Sequence, residues 1–428
     1  MNVPDKPKRV LIFSQTFVPD PASVGQHMTD VAVELARRGH EVRVYTSARG
    51  YEDPAVRYPP RETFHGVHIR RLPLAGFGKK NLPIRILGTF SFLCQCIFVG
   101  LFTPRVAGIF FSTSPPLIGA AACIARVFRR VPVAYWAMDL NPDQLIAMGK
   151  IKPTSPAARV LEFVHRQILK RSQLIVALDR FMAQRINRRG DFAAKMLVMP
   201  PWPHDDNIES VDPATNPFRI KHALTGKFVI MYSGNHSPAN PLTTLLQAAV
   251  RLKGDDSIRF VFVGGGGAKK EVDQAIASHG LTNMLSLPYQ PLSELKYSLA
   301  AADIHVVTMG DNMVGIVHPC KIYGAMAVGR PILFLGPEPS HIADIMAQNQ
   351  IGWHVSHGDV SAALRALSEI RDTPPETLRL MGRRAQAILR QSLSQQILCD
   401  SFVSRLESAL GVASRTAAMP TPRTAATP

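Results

Sequence analysis

Three loops rich in small residues have the composition to bind an anionic group. They are "YSGNHSPAN" (232–240), "VGGGGAKK" (263–270) and "GIVHPCKIYG" (315–324). Each offers small residues, backbone N–H groups or a helix N-terminus, which are groups that bind phosphate and diphosphate. A glycine-rich loop alone often makes a turn and nothing more. The three together predict a site for a group such as a diphosphate.

The third loop combines a lysine and a glycine in one short helix. The stretch "VHPCKIYGAMAVGRP" (317–331) predicts a tight entry at Pro319, a helix over about 321–328 and a following strand. Lys321 begins this helix, whose positive end should face a diphosphate. Gly324 is unfavourable in a helix interior by roughly 1 kcal/mol relative to alanine. Something must compensate for it, or a side chain expected there is missing.

The elements that position these loops alternate between strand and helix. "KRVLIFS", the helical "SVGQHMTDVAVELARRGH" and "EVRVYTS" form a βαβ unit, and similar units continue to about residue 200. A second series starts at "FVIMYSGN". In open α/β sheets, ligands bind beyond the carboxyl ends of the strands. The chain is therefore predicted to be α/β, with two facing Rossmann-like doubly wound domains and a cleft between them.

Length and composition divide the chain further. A chain of 428 residues is long enough for two cores. We predict a first domain over 1–200, a linker rich in Pro, Asp and Asn over 201–217, and a second domain over 218–374. One long helix over 375–411 is predicted to pack back across the interface. Residues 412–428 consist largely of Ala, Thr and Pro and are predicted to be disordered.

The net charge of +17 is concentrated in the first domain. Residues 61–200 hold 21 Lys and Arg against 6 Asp and Glu, and no carboxylate occurs between Glu62 and Asp139. Such a charge predicts an anionic partner, unless it only solvates the surface. The basic residues are interleaved with Leu, Ile, Phe and Val, and no helix-turn-helix, zinc or RNA-recognition signature occurs. This pattern favours an anionic membrane surface over nucleic acid.

The longest apolar segment, "ILGTFSFLCQCIFVGLF" (86–102), has three interpretations. Its 17 residues lie at the lower limit for a membrane span, and it contains Thr, Ser, Gln and two Gly. It can be a buried core helix, a helix in the membrane interface or a span. A span would put the rest of the N-terminal half on the wrong side of the bilayer.

Cysteines and the N-terminus indicate the compartment. The five cysteines are an odd set without a zinc spacing, so reduced thiols are the simplest interpretation. The apolar run near the N-terminus is too short for a signal peptide. We therefore expect the protein in the cytoplasm, peripheral on the inner face of the cell membrane.

Several motifs occur along the chain in a fixed order. They are "FVPDPASVGQHMTDVAVELARRGHEVRVYT", "DLNPDQLIAMGKI", "YSGNHSPANPLTTLLQA", "FVFVGGGGAKKEV", "LPYQPLSELKYSLAAADIHVV" and "KIYGAMAVGRPIL". This ordered set resembles the GT-B glycosyltransferases of family 4 over about residues 9–410, in particular the bacterial branch that builds O-antigen, colanic acid and other exopolysaccharides. The resemblance implies sugar transfer from a nucleotide donor with retention of anomeric configuration, without an obligatory metal or cofactor.

The resemblance also implies roles for individual residues. Gly25 matches the glycine that lets the first loop approach the donor, and Asp139 matches the acidic position that faces the transferred sugar or acceptor. Leu287 and Tyr289 bound the segment that reads the base through main-chain atoms. The three loops add further candidates for the donor site, namely Gly234, Asn235, His236, Gly264, Gly265, His318, Cys320, Lys321 and Gly324. We predict Asp139, His236 and Lys321 as catalytic residues.

Four positions depart from the family. Many members carry two Glu eight residues apart that hold ribose hydroxyls and sugar, and here these positions are Ile316 and Gly324. Many also carry Arg and Lys where this chain has Asn235 and Asn240. Because one charged hydrogen bond is worth about 1.5–3 kcal/mol, weaker donor binding is expected. The nearest polar residues that could substitute are Asp311, Asn312 and His318.

The predicted function is transfer of a sugar from a nucleoside-diphosphate sugar, with UDP favoured, to a lipid-linked or cell-surface glycan. Two alternatives stay open. A degenerate scaffold protein of a glycan assembly complex is motivated by the four departures, and a nucleotide-sugar epimerase would share the architecture.

Overall fold

The computed structural model describes residues 8–20, 22–50, 53, 55–74, 82–203 and 211–412. Their strands form two separate sheets, each built from strand-helix units. The predicted α/β class with two Rossmann-like domains is confirmed.

The first domain contains an eight-stranded sheet. Its strands are β1 (Arg9–Phe13), β2 (Glu41–Ser47), β3 (Arg61–Phe64), β4 (Val67–Leu72), β5 (Val106–Phe111), β6 (Val133–Ala137), β7 (Leu174–Ala177) and β8 (Met196–Val198). Its helices are α1 (Ser23–Arg37), α2 (Leu82–Phe102), α3 (Ile118–Arg129), α4 (Asp143–Ala147), α5 (Pro156–Arg171) and α6 (Arg180–Asn187). The strand order is β3-β4-β2-β1-β5-β6-β7-β8, and β3 alone is antiparallel to its neighbour.

The second domain contains a six-stranded parallel sheet. Its strands are β9 (Phe228–Ser233), β10 (Ile258–Val263), β11 (Met284–Leu287), β12 (Ile304–Thr308), β13 (Ile332–Leu335) and β14 (Gly352–Val355), in the order β11-β10-β9-β12-β13-β14. Its helices are α7 (Pro217–Lys221), α8 (Thr243–Arg251), α9 (Lys269–His279), α10 (Leu295–Ala300), α11 (Lys321–Ala327), α12 (His341–Asn349) and α13 (Val360–Asp372). Two more helices, α14 (Pro375–Ser392) and α15 (Gln395–Leu410), follow.

Burial of the central strands explains why their sequences are continuous apolar runs. All five residues of β6 and all five of β12 are buried, because helices cover both faces of a parallel sheet. The parallel register places the ends of β9, β10, β11 and β12 at one edge. The three loops at 232–240, 263–270 and 315–324 lie at this edge.

The predicted long C-terminal helix is two helices. The chain leaves the helix at Leu393, and the Ser394 side chain accepts a hydrogen bond from the Ile397 N–H to begin α15. The break lets α14 pack on the second domain and α15 pack on the first, where Phe402 and Leu406 are fully buried in its core. The prediction of one helix over 375–411 was wrong because the capping serine was overlooked.

The predicted linker and tail are only partly described. Trp202 is buried against Trp136 and Phe402, so the first residues of the predicted linker belong to the core of the first domain. The other end of the linker meets α7, which begins at Pro217. Of the predicted disordered tail, all but Val412 lies outside the described residues.

A buried ion-pair cluster attaches α15 to the first domain. The Arg38 guanidinium donates to Glu407 Oε2 at 2.7 Å and to Asp400 Oδ1 at 2.5 Å. His40 Nε2 lies 2.6 Å from the other Glu407 carboxylate oxygen. Because Arg38 and Glu407 are both largely buried, each charged side chain needs the other to compensate for its lost hydration.

Replacing Arg38 with methionine is expected to lower the free energy of unfolding by about 3 kcal/mol, because the Glu407 carboxylate would stay buried without its arginine. Urea titration of the purified protein measures this loss. Arg37→Met is the matched control, since the Arg37 side chain is 66% exposed and pairs with Glu34 at the surface. Its effect should stay within about 0.5 kcal/mol. Equal losses in the two variants would contradict the role of the cluster.

Helix α2 has one core face and one exposed apolar face. Phe92 and Cys96 are buried in the first core, whereas Phe90, Phe98 and Phe102 are 60–68% exposed. The helix packs on α3, which exposes Phe128, and α3 packs on α5, which exposes Phe163. Across the described part of the chain, no helix combines the length and apolar content needed to span a bilayer. The core-helix interpretation therefore holds for one face of α2.

Candidate active site

A cleft of about 1,800 Å³ separates the two domains. The first domain lines it with α1, including Ser23, Gln26, His27 and Asp30, and the second with Leu295, Leu299, Cys320, Tyr323 and Gly324. The start of α15 closes one side through Ser394 and Gln395. The cleft meets the carboxyl-end loops of the second domain, as expected for a ligand site of an α/β protein.

Two of the predicted loops touch backbone to backbone. A Cβ atom added to Gly264, where φ is +127°, would overlap the carbonyl oxygen of Gly234. One added to Gly266, where φ is +122°, would overlap Asn235 and His236. These positions require glycine both for conformation and for space. The predicted residues Gly234, Asn235 and Gly264 are thereby brought together.

Internal hydrogen bonds occupy most of the predicted backbone donors. The Gly234 N–H donates to Val263 O at 2.9 Å, and the His236 N–H donates to Gly265 O at 2.7 Å. Of the three N–H groups predicted to face a diphosphate, that of Asn235 alone lacks an acceptor among the described residues. The first loop therefore offers one backbone donor to a ligand instead of three.

Lys321 brings the third loop onto the first. Its side chain lies across Gly234, where an added Cβ would be 2.9 Å from Lys321 Cε. Its ammonium is 5.3 Å from the centroid of the Tyr232 ring. No carboxylate pairs with it within the described ranges, and burial lowers the pKa of Lys321 to about 8. At neutral pH it is a mostly protonated cation whose charge is not neutralised by an ion pair.

The helix N-terminus at Cys320 contributes less than predicted. Helix α11 has seven residues, and Cys320 is its N-cap residue. The Cys320, Ile322 and Tyr323 N–H groups donate to His318, Pro319 and Cys320 carbonyls respectively. The positive charge of this loop therefore comes from the Lys321 side chain.

His236 does not supply a positive charge. Its side chain is fully buried, and Nδ1 lies 3.0 Å from Gly234 O. Burial, and secondarily the charge of Lys269, lower the pKa of His236 to about 4. Because the imidazole is neutral and lies beneath the loop, it carries no charge that could assist a leaving group, and its predicted catalytic role stays a prediction.

His318 joins the two domains instead of lining the donor side of the cleft. Its Nδ1 lies 3.2 Å from Asp179 Oδ2 in the first domain, and its Nε2 lies 2.7 Å from Tyr323 OH. Ile316 is buried in the first core, and its carbonyl accepts from the Leu140 N–H at 3.1 Å. These interdomain partners were not predicted, because residues 139 positions apart in the sequence carry no local signal of their contact.

Asp139 lies in the loop that follows β6. Burial raises the pKa of its carboxyl to about 6. Gln144 Nε2 lies 3.5 Å from its Oδ1, and its charge acts on the thiol of Cys320 in the second domain. Asp139 therefore lies near the loop of the second domain that carries Cys320 and Lys321.

Gly25 permits a close contact within the first domain. A Cβ atom there would lie 3.1 Å from the backbone of Thr16 and Phe17. The glycine thus lets α1 approach the loop after β1. Its predicted contact with a donor stays a prediction.

The segment predicted to read a base ends the edge strand β11. The Leu287 carbonyl already accepts from the Gly264 N–H and from the Lys269 ammonium, at 3.0 and 2.8 Å. Tyr289 is 59% exposed, and its ring covers Gly265. Main-chain recognition through the Leu287 carbonyl is therefore unavailable, whereas the Tyr289 ring borders the site. Lys269, in its structural role, was not predicted.

Across the described residues, no group of three or more His, Cys, Asp or Glu could hold a metal ion. The cleft lining includes several polar side chains, among them Gln26, Asp30 and Gln395.

Comparison with known protein families covers most of the chain. Residues 23–202 match the family described as Glycosyl transferase 4-like domain, and residues 215–387 match Glycosyl transferases group 1. Probable glycosyltransferase WbjE of Pseudomonas aeruginosa is 25% identical over 266 residues, or 62% of this chain and 66% of that protein. Putative colanic acid biosynthesis glycosyl transferase WcaI of Escherichia coli is 26% identical over 341 residues, or 75% and 81%.

Solved structures share the fold at low sequence identity. Sucrose-phosphate synthase from Thermosynechococcus elongatus superposes with a TM-score of 0.74 at 14% identity, over 94% of this chain and 99% of that one. Anabaena HepE in complex with UDP and glucose gives 0.70 at 16%, over 94% and 100%. WaaG, a glycosyltransferase involved in lipopolysaccharide biosynthesis, gives 0.68 at 14%, over 92% and 98%.

Proposed function

Since the chain belongs to the group 1 glycosyltransferases of family 4 and has their two-domain GT-B fold, we propose that it transfers a sugar from a nucleoside-diphosphate sugar to a lipid-linked glycan, with retention of anomeric configuration. The observation that carries this proposal is the Lys321 ammonium, which lies on Gly234 without a carboxylate partner in the described residues. A departing diphosphate is the charge that such a group stabilises.

The donor is proposed to be a UDP-sugar. Support comes from the fold neighbour HepE, whose structures contain UDP, UDP-glucose or UDP with glucose. Lys321 and the Asn235 N–H would hold the diphosphate, and the Tyr289 ring would border the base. The diphosphate then leaves toward a fixed positive charge, so no charge has to be moved during the reaction.

Asp139 is proposed to face the transferred sugar or the acceptor hydroxyl. Its proximity to Cys320 and its raised pKa support a carboxylate in a poorly solvated place beside the Lys321 loop. Such a group stabilises positive charge that develops on the sugar ring when the bond to the diphosphate breaks. The acceptor would enter along α1, which lines the cleft.

The protein is proposed to work on the anionic, cytoplasmic face of a membrane. The exposed apolar residues of α2, α3 and α5 form an apolar face, defined here as Phe90, Phe98, Phe102, Phe128 and Phe163. Exposed basic residues occur on the same helices and the loops that follow them, namely Arg105, Arg130, Arg159, Arg166 and Lys170. Apolar side chains that enter lipid, with cations at the headgroup level, are typical of interfacial binding.

A transfer assay tests the proposed function. The full-length protein is incubated with a panel of labelled nucleoside-diphosphate sugars and membrane lipid extract, and label is followed into the lipid phase. Label in lipid is the expected result. Epimerised donor without transfer would support the epimerase alternative, and the absence of both transfer and nucleotide binding would support the scaffold alternative.

The affinity for a nucleoside-diphosphate sugar is expected to decrease as pH rises above about 8. The free Lys321 has a pKa of about 8, and a bound diphosphate favours its protonated form. Affinity should therefore be full below this pH and fall by up to about tenfold per pH unit above it. Calorimetry between pH 6.5 and 9.5 measures the profile, and Lys321→Met should flatten it. A wild-type profile that is itself flat would contradict the assignment.

A further inference from the structure

Part of the cleft wall formed by the second domain is apolar. Leu295, Leu299 and Gly324 line the cleft there. A Cβ atom added to Gly324 would meet one side-chain atom within 4 Å, Leu299 Cδ1 at 3.7 Å. Gly324 is therefore not needed for packing, and its position leaves open space that a side chain could fill.

A bound nucleoside would have to cross this wall. This step rests on the proposed function, in which the diphosphate contacts Lys321 and the base borders Tyr289. Gly324 follows Lys321 by one turn of α11, and Leu295 and Leu299 belong to α10, which follows the Tyr289 segment. The sugar ring that joins base and diphosphate would therefore lie over Gly324, Leu295 and Leu299.

Two polar side chains of the second domain that line the cleft, Tyr323 and Cys320, are already engaged. The Tyr323 hydroxyl contacts His318 Nε2 at 2.7 Å and His341 Nε2 at 3.4 Å. The Cys320 thiol lies 3.5 Å from His318 O. Ile316, eight residues before Gly324, is buried in the first core. The described residues of α10 and α11 that line the cleft thus offer no carboxylate to a ribose hydroxyl.

We propose that this site does not recognise ribose hydroxyls and therefore accepts 2′-deoxyribonucleoside-diphosphate sugars, including those of thymidine, as well as the ribonucleotide forms. A hydroxyl buried on an apolar wall without a partner is unfavourable, so its absence is not penalised. A site that does bond the hydroxyl would instead reject the deoxy analogue, because its own polar group would lose a partner. Gly324 is the residue that sets this specificity.

Matched nucleotide pairs test the proposal. Calorimetry with the full-length protein compares UDP with dUDP, GDP with dGDP and ADP with dADP, and includes dTDP. For the base that binds most tightly, the deoxy form should bind within about threefold of the ribo form, or more tightly. A ribo form that binds more than tenfold tighter overturns this inference and leaves the proposed function intact. Failure of every nucleotide to bind overturns both.

The variant Gly324→Glu adds the missing acceptor. It should raise the ratio of deoxy to ribo dissociation constants by on the order of tenfold to a hundredfold, the effect of one charged hydrogen bond. Gly324→Ala is the matched control, because it fills the same space without an acceptor and should leave the ratio unchanged. If Gly324→Glu binds nucleotides and leaves the ratio unchanged, or if Gly324→Ala changes it equally, the wall does not contact the ribose and the proposal fails.

Discussion

Replacing Lys321 with methionine is expected to lower kcat/KM for sugar transfer by about 10²–10³-fold, the usual effect of removing one preorganised group that stabilises developing negative charge. The Lys321 ammonium has no carboxylate partner in the described structure, so its charge is available to a ligand. Methionine keeps the apolar part of the side chain that contacts Gly234 and lacks the ammonium that lies over the Tyr232 ring. The loss therefore reports on charge and not on packing. Initial rates with a nucleoside-diphosphate sugar measure it.

The matched control is Lys270→Met in the neighbouring glycine-rich loop. Lys270 is exposed, and its replacement by methionine removes the same charge from the same edge of the sheet. This variant should retain kcat/KM within about twofold, since an exposed lysine is strongly screened by solvent. If both variants lost activity equally, the total positive charge of this edge, and not a specific contact of Lys321, would explain the loss. If Lys321→Met kept full activity, the proposed role of Lys321 would be refuted.

Replacing Phe98 and Phe102 together with serine is expected to weaken binding to anionic vesicles by about a hundredfold or more. Both rings are more than 60% exposed on α2, and burying one phenylalanine contributes about 1.5–3 kcal/mol. Co-sedimentation with vesicles of phosphatidylglycerol and phosphatidylethanolamine measures the change. Salt should weaken the remaining binding, because the cations around the apolar face act through screened charge.

The control for the vesicle experiment uses exposed apolar residues of the second domain. Ile220 on α7 is 61% exposed, and Leu380 on α14 is 42% exposed. Their double replacement by serine should leave vesicle binding unchanged. A wild-type protein that stays off anionic vesicles at moderate salt would refute the membrane proposal outright. Equal weakening by both double variants would show that binding is not specific to the apolar face.

The two sheets could be predicted from the sequence because buried parallel strands are continuous apolar runs. The strand Val133–Ala137 is an example, since all five residues are buried and all are apolar or aromatic. The break at Ser394 also has a local signal, a capping serine within the stretch "QSLSQQIL" (391–398). The sequence could not indicate which face of α2 is buried and which is exposed. Both faces are apolar, and the burial of each depends on which helices pack against it.

The sequence predicted which loops form the site. It did not predict which backbone N–H groups in those loops are free to bind a ligand. Spacing indicates which loops meet at the sheet edge, and Lys321 and Gly234 do meet there. Spacing cannot indicate that Val263 and Gly265 carbonyls consume the N–H groups of Gly234 and His236. It also cannot indicate that His236 is buried and neutral, since that depends on the strands that surround it.

The contact between Ile316, His318 and the first domain has a consequence for motion. The Leu140 N–H holds Ile316 O, Arg185 Nε holds Val314 O at 2.6 Å, and Asp179 holds His318. A Cβ atom on Gly315 would lie 2.6 Å from the Phe181 backbone, so the backbones of the two domains are in direct contact here. If the cleft opens while these hydrogen bonds persist, the second domain rotates relative to the first about this contact. This loop is then a hinge. Lys321 lies a few residues beyond it and is displaced little, whereas the far edge of each domain is displaced most.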